Sequence, residues 1–351
     1  MGFFSRRSFL KSGALFGTGA LIFPETSIRG FNWDVENKDP SNHKTLKPKK
    51  LERGNKIAVT APGGAIWDPK EVVRFETLLK NMGFSVVLGE TLRKKYGYLA
   101  GTDEERAKEL MSFFSDPSVD GIITMRGGWG CARLLDKLDY DVIRENPKFF
   151  MGFSDITSLL NAFYIKSGLI TFHGLVGVNS WNEFSTDIFN RVACKGENCS
   201  LPIGGDLGKS FVQINEGVAR GKLIGGNLSV ISGVVGSPYF ELPHDSILFL
   251  EETNEEPYVV DRLLTHLKVA NVYDRVKGVI FGHCSKCLAE NPNESMPTIE
   301  VIKEHFSTLK IPVSYGSPIG HIASKWTLPV GIEVEMNASN GELKLLESAV
   351  G

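Results

Sequence analysis

Apolar residues in this chain fall into two alternating patterns: unbroken runs of four or five, and longer stretches where they recur every three or four positions. Lys56-Ile57-Ala58-Val59-Thr60 is a run of the buried-strand type, ended by Ala61-Pro62-Gly63-Gly64. Val72 to Leu79 has helical spacing, and Phe84 to Leu88 is the next strand-like run. Thr102 and Glu105 have the spacing of a capping box, opening a helix through Leu110 and Phe114. Gly121 to Met125 predicts a strand and the stretch near Ala132–Leu138 a helix. A further strand leads into Ser154, followed by a helix carrying Leu159, Leu160 and Phe163. Strands alternating with helices through short turns predict an α/β fold with a mostly parallel sheet covered on both faces. In such sheets ligands lie beyond the carboxyl ends of the strands, where Arg126-Gly127-Gly128-Trp129-Gly130 and Ser154 both fall.

After His173 the periodicity loosens, and residues 177–208 read as a connecting or lid segment. Order resumes with Gly221 to Asn227, the strand Ile247 to Leu250, and a helix through Val260, Leu263, Leu264 and Leu267. A strand over Val276–Phe281, a helix near Val301–Phe306 and closing strands from Val330 to Leu346 follow. The other end of the chain departs from this pattern. Ser5-Arg6-Arg7-Ser8-Phe9-Leu10-Lys11 precedes a glycine- and alanine-rich apolar run ending at Phe23. Adjacent arginines before a short, weakly apolar segment predict a twin-arginine signal, read by the export machinery that carries folded proteins, and a periplasmic location. The run is shorter than the roughly 20 residues of a membrane span. No small-x-small cleavage site stands out after Ala20, so a removed signal and a retained anchor both stay open. Residues 24–55 are polar, rich in Lys, Asn and Pro, and read as a flexible tether.

Composition narrows the classes further. A chain of 351 residues, 42% hydrophobic, suffices for two cores, and a net charge of -2 gives no electrostatic basis for binding nucleic acid. An exported location permits disulfides, for which Cys194/Cys199 and Cys284/Cys287 have suitable spacing, leaving Cys131 over. A zinc site at His283, Cys284 and Cys287 lacks a second ligand pair, and no metal is expected.

Ser154 sits where an apolar run meets a glycine and then an amphipathic stretch. A sharp strand-to-helix turn there would lift the hydroxyl above the sheet and aim free helix N–H groups at developing negative charge. Ile156 replaces the second glycine of the full elbow pattern, and Ser154 or Asp155 could equally serve as a helix cap. A serine nucleophile needs a base, a group to orient it and oxyanion donors. His43 lies in the tether, and His266 and His305 lie inside expected helices. His173, His244, His283 and His321 remain, and flanking glycines favour His321 in Gly316-Ser317-Pro318-Ile319-Gly320-His321. Glu251 and Glu252 end an apolar strand whose alternation sends them to opposite faces, so one alone can orient the base. The turn at 126–130 offers amides for an oxyanion, or is simply a tight connection; it lacks the spacing of a phosphate or dinucleotide loop. The division that results is a signal over 1–23, a tether over 24–55 and a nucleophile domain over 56–176. The segment 177–208 then leads to a C-terminal domain over 209–351 with the acid and base.

Several of these stretches occur together, and in the same order, in one family. Arg126-Gly-Gly-Trp-Gly130, Leu138-Asp-Tyr-Asp141, Asn146-Pro-Lys148, Gly152-Phe-Ser-Asp-Ile-Thr157 and Thr171-Phe-His-Gly174 begin the series. Gly225-Gly-Asn-Leu228, Leu250-Glu-Glu252, Glu256-Pro-Tyr258, Asp261-Arg262 and Pro318-Ile-Gly-His321 complete it. Over residues 55 to 345 the chain resembles the LD-carboxypeptidase family of serine peptidases, which includes murein tetrapeptide carboxypeptidases and microcin C immunity peptidases. The resemblance implies a Ser-Glu-His triad without metal or cofactor, mapping to Ser154, Glu251 and His321. It implies oxyanion amides at Asp155 and Gly127-Gly128, and a peptidoglycan-derived peptide as substrate. It further implies an N-terminal sheet domain resembling class I glutamine amidotransferases, a smaller C-terminal α/β domain, and homodimers. Arg126, Trp129 and Trp181 are the expected substrate contacts, Arg126 for a terminal carboxylate unless Asp155 pairs with it. Murein-recycling members are usually cytoplasmic, whereas this chain begins with an export signal; Trp129, Cys131 and the cysteine-bearing 177–208 segment are further departures.

Overall fold

The strands form two sheets in a computed structural model that describes residues 44–203 and 210–351. The first half supplies β1 (Lys56–Thr60), β2 (Ser85–Leu88), β3 (Gly121–Thr124), β4 (Phe149–Gly152) and β5 (Thr171–His173). β6 (Ser200–Leu201), β7 (Val212–Asn215), β8 (Val218–Asn227), β9 (Ser246–Thr253) and β10 (Val276–Ser285) follow. The chain closes with β11 (Val313–Tyr315), β12 (Leu328–Val330), β13 (Glu333–Asn337) and β14 (Glu342–Leu345). The first sheet has the order β12-β5-β4-β3-β1-β2, parallel except for β12, which runs antiparallel to β5 with Leu328 opposite His173. The second has the order β6-β14-β13-β8-β9-β10-β11-β7, with a parallel centre from β8 to β11 and antiparallel flanks. Among the described residues the second sheet has eight strands against six in the first; it takes β6 from the 177–208 segment, while the second half lends β12 to the first sheet.

The helices are α1 (Pro69–Asn81), α2 (Asp103–Ser115), α3 (Tyr140–Glu145), α4 (Thr157–Ser167), α5 (Glu183–Phe189), α6 (Leu228–Val234), α7 (Pro257–Val269) and α8 (Thr298–Phe306). The capping box of α2 is present in both directions, between Thr102 and Glu105. The helix expected near 132–138 is only a 3-10 turn over Cys131–Leu134; Asp139 caps a new helix at Asp141 and Val142 and takes the chain away. α4 is buried on every side except at Lys166, and its polar residues Ser158, Asn161 and Ser167 each donate to a backbone carbonyl, which lets them be buried. It docks on β8 through Asn161, whose Nδ2 donates to the Gly225 carbonyl at 3.0 Å. A Cβ on Gly226 would lie 2.5 Å from Thr157 Oγ1, so glycine is needed there for helix and strand to meet.

Two expectations about connections need correction. The signal at 1–23 and most of the tether lie outside the described residues, but 44–55 are packed rather than loose. Leu46 exchanges backbone hydrogen bonds with Gly168 and Ile170, and the buried Leu51 donates its amide to Ala193. Two leucines in a polar stretch suffice to lay that segment on the core. The segment 177–208 likewise holds α5, a π-turn over Asn190–Cys194 and β6, with Phe189, Val192 and Leu201 buried.

Candidate active site

β4 ends at Gly152, Phe153 is extended, and Ser154 takes a left-handed φ of 63° before a 3-10 turn leads into α4. A non-glycine residue in that region costs on the order of 1–3 kcal/mol, and such strain gathers at working sites. A Cβ on Gly152 would lie 2.5 Å from Thr124 Oγ1 and 2.7 Å from Ile156 Cγ2. One glycine therefore makes the turn possible, and the buried Ile156 fills the room that the missing second glycine would leave. Neither Ser154 nor Asp155 caps the helix: no side-chain cap bond exists at the 3-10 turn or at α4.

The hydroxyl of Ser154 instead faces His321, at 3.2 Å from Nε2, and His321 Nδ1 lies 2.8 Å from Glu251 Oε2. Three side chains from the turn after β4, from β9 and from the loop before β12 thus form one hydrogen-bonded series. Glu251 is fully buried. Burial opposes its charge, but the hydrogen bond and charge of His321 prevail and hold its carboxyl below the ordinary value. Gly320, at φ 116°, lets the loop cross close above the acid, since a Cβ there would sit 2.9 Å from Glu251 Oε2. Glu252 points the opposite way, as strand alternation requires. It accepts from Asn227 Nδ2 at 3.1 Å, and from the amide and hydroxyl of Ser229 at 2.7 and 2.6 Å, which anchors the start of α6.

The remaining histidines do other things. His173 is buried between Phe153 and Phe249, and burial lowers its pKa to about 4, so it is neutral. His266 bonds Ser232 and His305 pairs with Asp261, while His244 is exposed. His283 lies on β10, its pKa lowered by burial. All five cysteines are unbridged among the described residues.

The glycine turn lies against Ser154. A Cβ on Gly127 would be 2.8 Å from the Cβ of Ser154 and 3.0 Å from the Asp155 amide nitrogen. The turn is locked by the Gly64 amide, which donates to the Gly127 carbonyl at 2.9 Å. Asp155 turns its carboxylate inward and accepts from the Cys131 amide at 2.8 Å; burial raises its pKa, which that hydrogen bond and the charge of Arg106 oppose. Arg106, fully buried on α2, donates to the carbonyls of Pro62 and Gly130 and so ties both glycine loops together. Nothing in the helical spacing of α2 marked this arginine. Arg126 does not pair with Asp155. Its Nη1 donates to the Ala65 carbonyl at 3.2 Å, and it makes no ion pair among the described residues. Trp129 stands 55% exposed on the turn, edge-on to Tyr98. Trp181 is half-buried, with the rings of Phe75 and Phe189 against its own, and its Nε1 donates to the Val176 carbonyl at 3.2 Å. The groove it borders, with Arg74, Leu78 and Asn81, includes none of the residues around Ser154.

Comparison with known proteins gives this arrangement a context. The LD-carboxypeptidase N-terminal domain is matched over residues 57–174 and the LD-carboxypeptidase C-terminal domain over 220–336. A probable murein peptide carboxypeptidase of Bacillus subtilis is 30% identical over 298 residues, covering 84% of this chain and 92% of that protein. Among solved structures, the microcin C7 self immunity protein of Escherichia coli aligns with a TM-score of 0.80 at 26% identity, covering 87% of this chain and 100% of the other. A muramoyltetrapeptide carboxypeptidase from Oxalobacter formigenes aligns with a TM-score of 0.72 at 28% identity, covering 83% and 98%. With one half matching each domain and kinship running nearly the whole length of its relatives, this chain belongs to the LD-carboxypeptidase family of peptidases.

Proposed function

We propose that this protein is an exported serine carboxypeptidase that hydrolyses the bond on the L-centre of a diamino acid and releases the terminal D-alanine of murein tetrapeptides. The observation that carries this reading is the hydrogen-bonded series from Ser154 through His321 to Glu251. His321 Nε2 takes the proton of Ser154 as Oγ attacks the scissile carbonyl carbon. The oxyanion then forms beside the Asp155 amide and the Gly127-Gly128 turn, whose own amides have no acceptor among the described residues. Glu251 holds the tautomer and stabilises the imidazolium, which passes its proton to the amine of the departing D-alanine. Water, deprotonated by the same imidazole, cleaves the acyl-enzyme and restores Ser154. Arg126 and Trp129 line the approach to the turn as substrate contacts. The names of the Bacillus and Oxalobacter relatives support the substrate class. The place of Ser154, on a strained turn after a parallel strand, supports the likeness of the first sheet to class I glutamine amidotransferases.

Incubating the protein with muropeptide tetrapeptide and following free D-alanine tests the proposal. Ser154→Ala should abolish release, by about 10^6-fold in kcat. Release that persists in that variant, or that a chelator abolishes, would overturn the triad reading. The likeness to the microcin C7 self immunity protein favours a second reading, cleavage of a peptidyl-nucleotide toxin, which the same assay with such a substrate separates. Export rests on Arg6-Arg7 and the apolar run after them, all outside the described residues.

A further inference from the structure

Lys325 is a lysine that the chain has buried beside the nucleophile without giving it an anion. It retains 2% of its exposure, and its Nζ lies 3.9 Å from the centre of the Phe153 ring. That ring belongs to the residue preceding Ser154 and lies 4.8 Å from the ring of His321. The backbone of Lys325 is fixed by its amide, which donates to Ser185 Oγ at 2.9 Å. No oxygen accepts from Nζ and no carboxylate pairs with it among the described residues. An ammonium group has three donors, and one aromatic face cannot satisfy them. A buried cation left so is costly, whereas methionine would fill the same space without that cost.

We propose that Lys325 is a carboxylate-binding residue of the substrate site, completed when a peptide carboxylate adjoining the scissile bond reaches Nζ. This rests on the carboxypeptidase reading, which supplies two such groups. One is the α-carboxylate of the departing D-alanine, one residue beyond the cleaved bond. The other is the second carboxylate of the diamino acid on the acyl side. Arg126, beside the glycine turn, provides a second cation, so a substrate with two carboxylates meets two positive groups. The chemistry also explains discrimination: an internal peptide bond offers no α-carboxylate to a buried ammonium and leaves its donors unmet.

The test uses the full chain with Ser154→Ala, so that binding is measured without turnover, by calorimetry on three peptides. These are the diaminopimelate tetrapeptide, its C-terminal amide, and the analogue with lysine in place of diaminopimelate. Lys325→Met should weaken the tetrapeptide by about 30-fold, and Lys325→Arg should keep it within about 3-fold of the unsubstituted residue. If the Met effect vanishes on the amide, the terminal carboxylate is the partner; if on the lysine analogue, the side-chain carboxylate is. Equal weakening of all three peptides, or none, overturns the proposal. If the Met variant does not fold, the pH profile decides. Burial lowers the pKa of Lys325 to about 8, opposed by Glu251 on β9, with His173 on β5 and His321 in its own loop the other titratable groups nearby. The cation exists below that pH, so tetrapeptide affinity should fall as pH rises through about 8 and should not fall with Lys325→Arg; identical profiles overturn the proposal. D-alanine release by the unsubstituted protein is scored separately. Its absence refutes the carboxypeptidase reading, while the binding results still decide the role of Lys325.

Discussion

Two adjacent glutamates show how one residue step separates chemistry from support. Glu251→Gln keeps the shape but removes the charge and the tautomer control at His321 Nδ1, so kcat should fall by about 10^3- to 10^4-fold with little loss of stability. Glu252→Gln should do the reverse. An amide there confronts the donors of Ser229 and Asn227, costing about 1–3 kcal/mol in a denaturant titration, while activity per folded molecule is retained. Equal loss of activity in both variants would contradict this division. The pair was legible because strand alternation is strict, and Ser154 and His321 because a glycine closely precedes each. The packing of Phe75 and Phe189 against Trp181 was not legible, because a sequence does not say which side of a ring its neighbours cover. Lys325 and Arg106 went unnoticed for a related reason: a lone basic residue near apolar neighbours looks like a surface charge until burial is known.

Among the elements, the contact between α4 and β8 matters most, because it fixes the helix after Ser154 against the strand beside that of Glu251. Gly226 has φ 142° and faces Thr157, whose Oγ1 accepts from the Asn227 amide at 3.1 Å. Gly226→Ala should lower stability by about 1–3 kcal/mol through crowding alone, and more with backbone strain. Thermal unfolding with Thr157→Ser as a partial rescue checks this, since removing the methyl group relieves one of the contacts. The strands and long helices were legible from their periods, and the capping box marked the start of α2 to the residue. The turn at 131–134 was not, because Asp139 caps a competing helix that apolar spacing does not reveal. Nor did three residues at Leu328–Val330 announce that they belong to the other half's sheet.

For the molecule as a whole, the proposed export makes a prediction of its own. Replacing Arg6 and Arg7 by lysine should leave the protein in the cytoplasm with its peptidase activity intact, read by fractionation and D-alanine release; export unchanged by the substitution would remove the twin-arginine assignment.

The return of β12 to the first sheet has a further consequence for how the protein comes into being. During synthesis, β1 to β5 emerge from the ribosome long before their last neighbour, and β5 waits with an open edge until residues 328–330 follow. Open edges recruit other chains. A nascent product halted after the matched N-terminal domain should therefore aggregate instead of folding by itself, and the two halves should acquire their final form together.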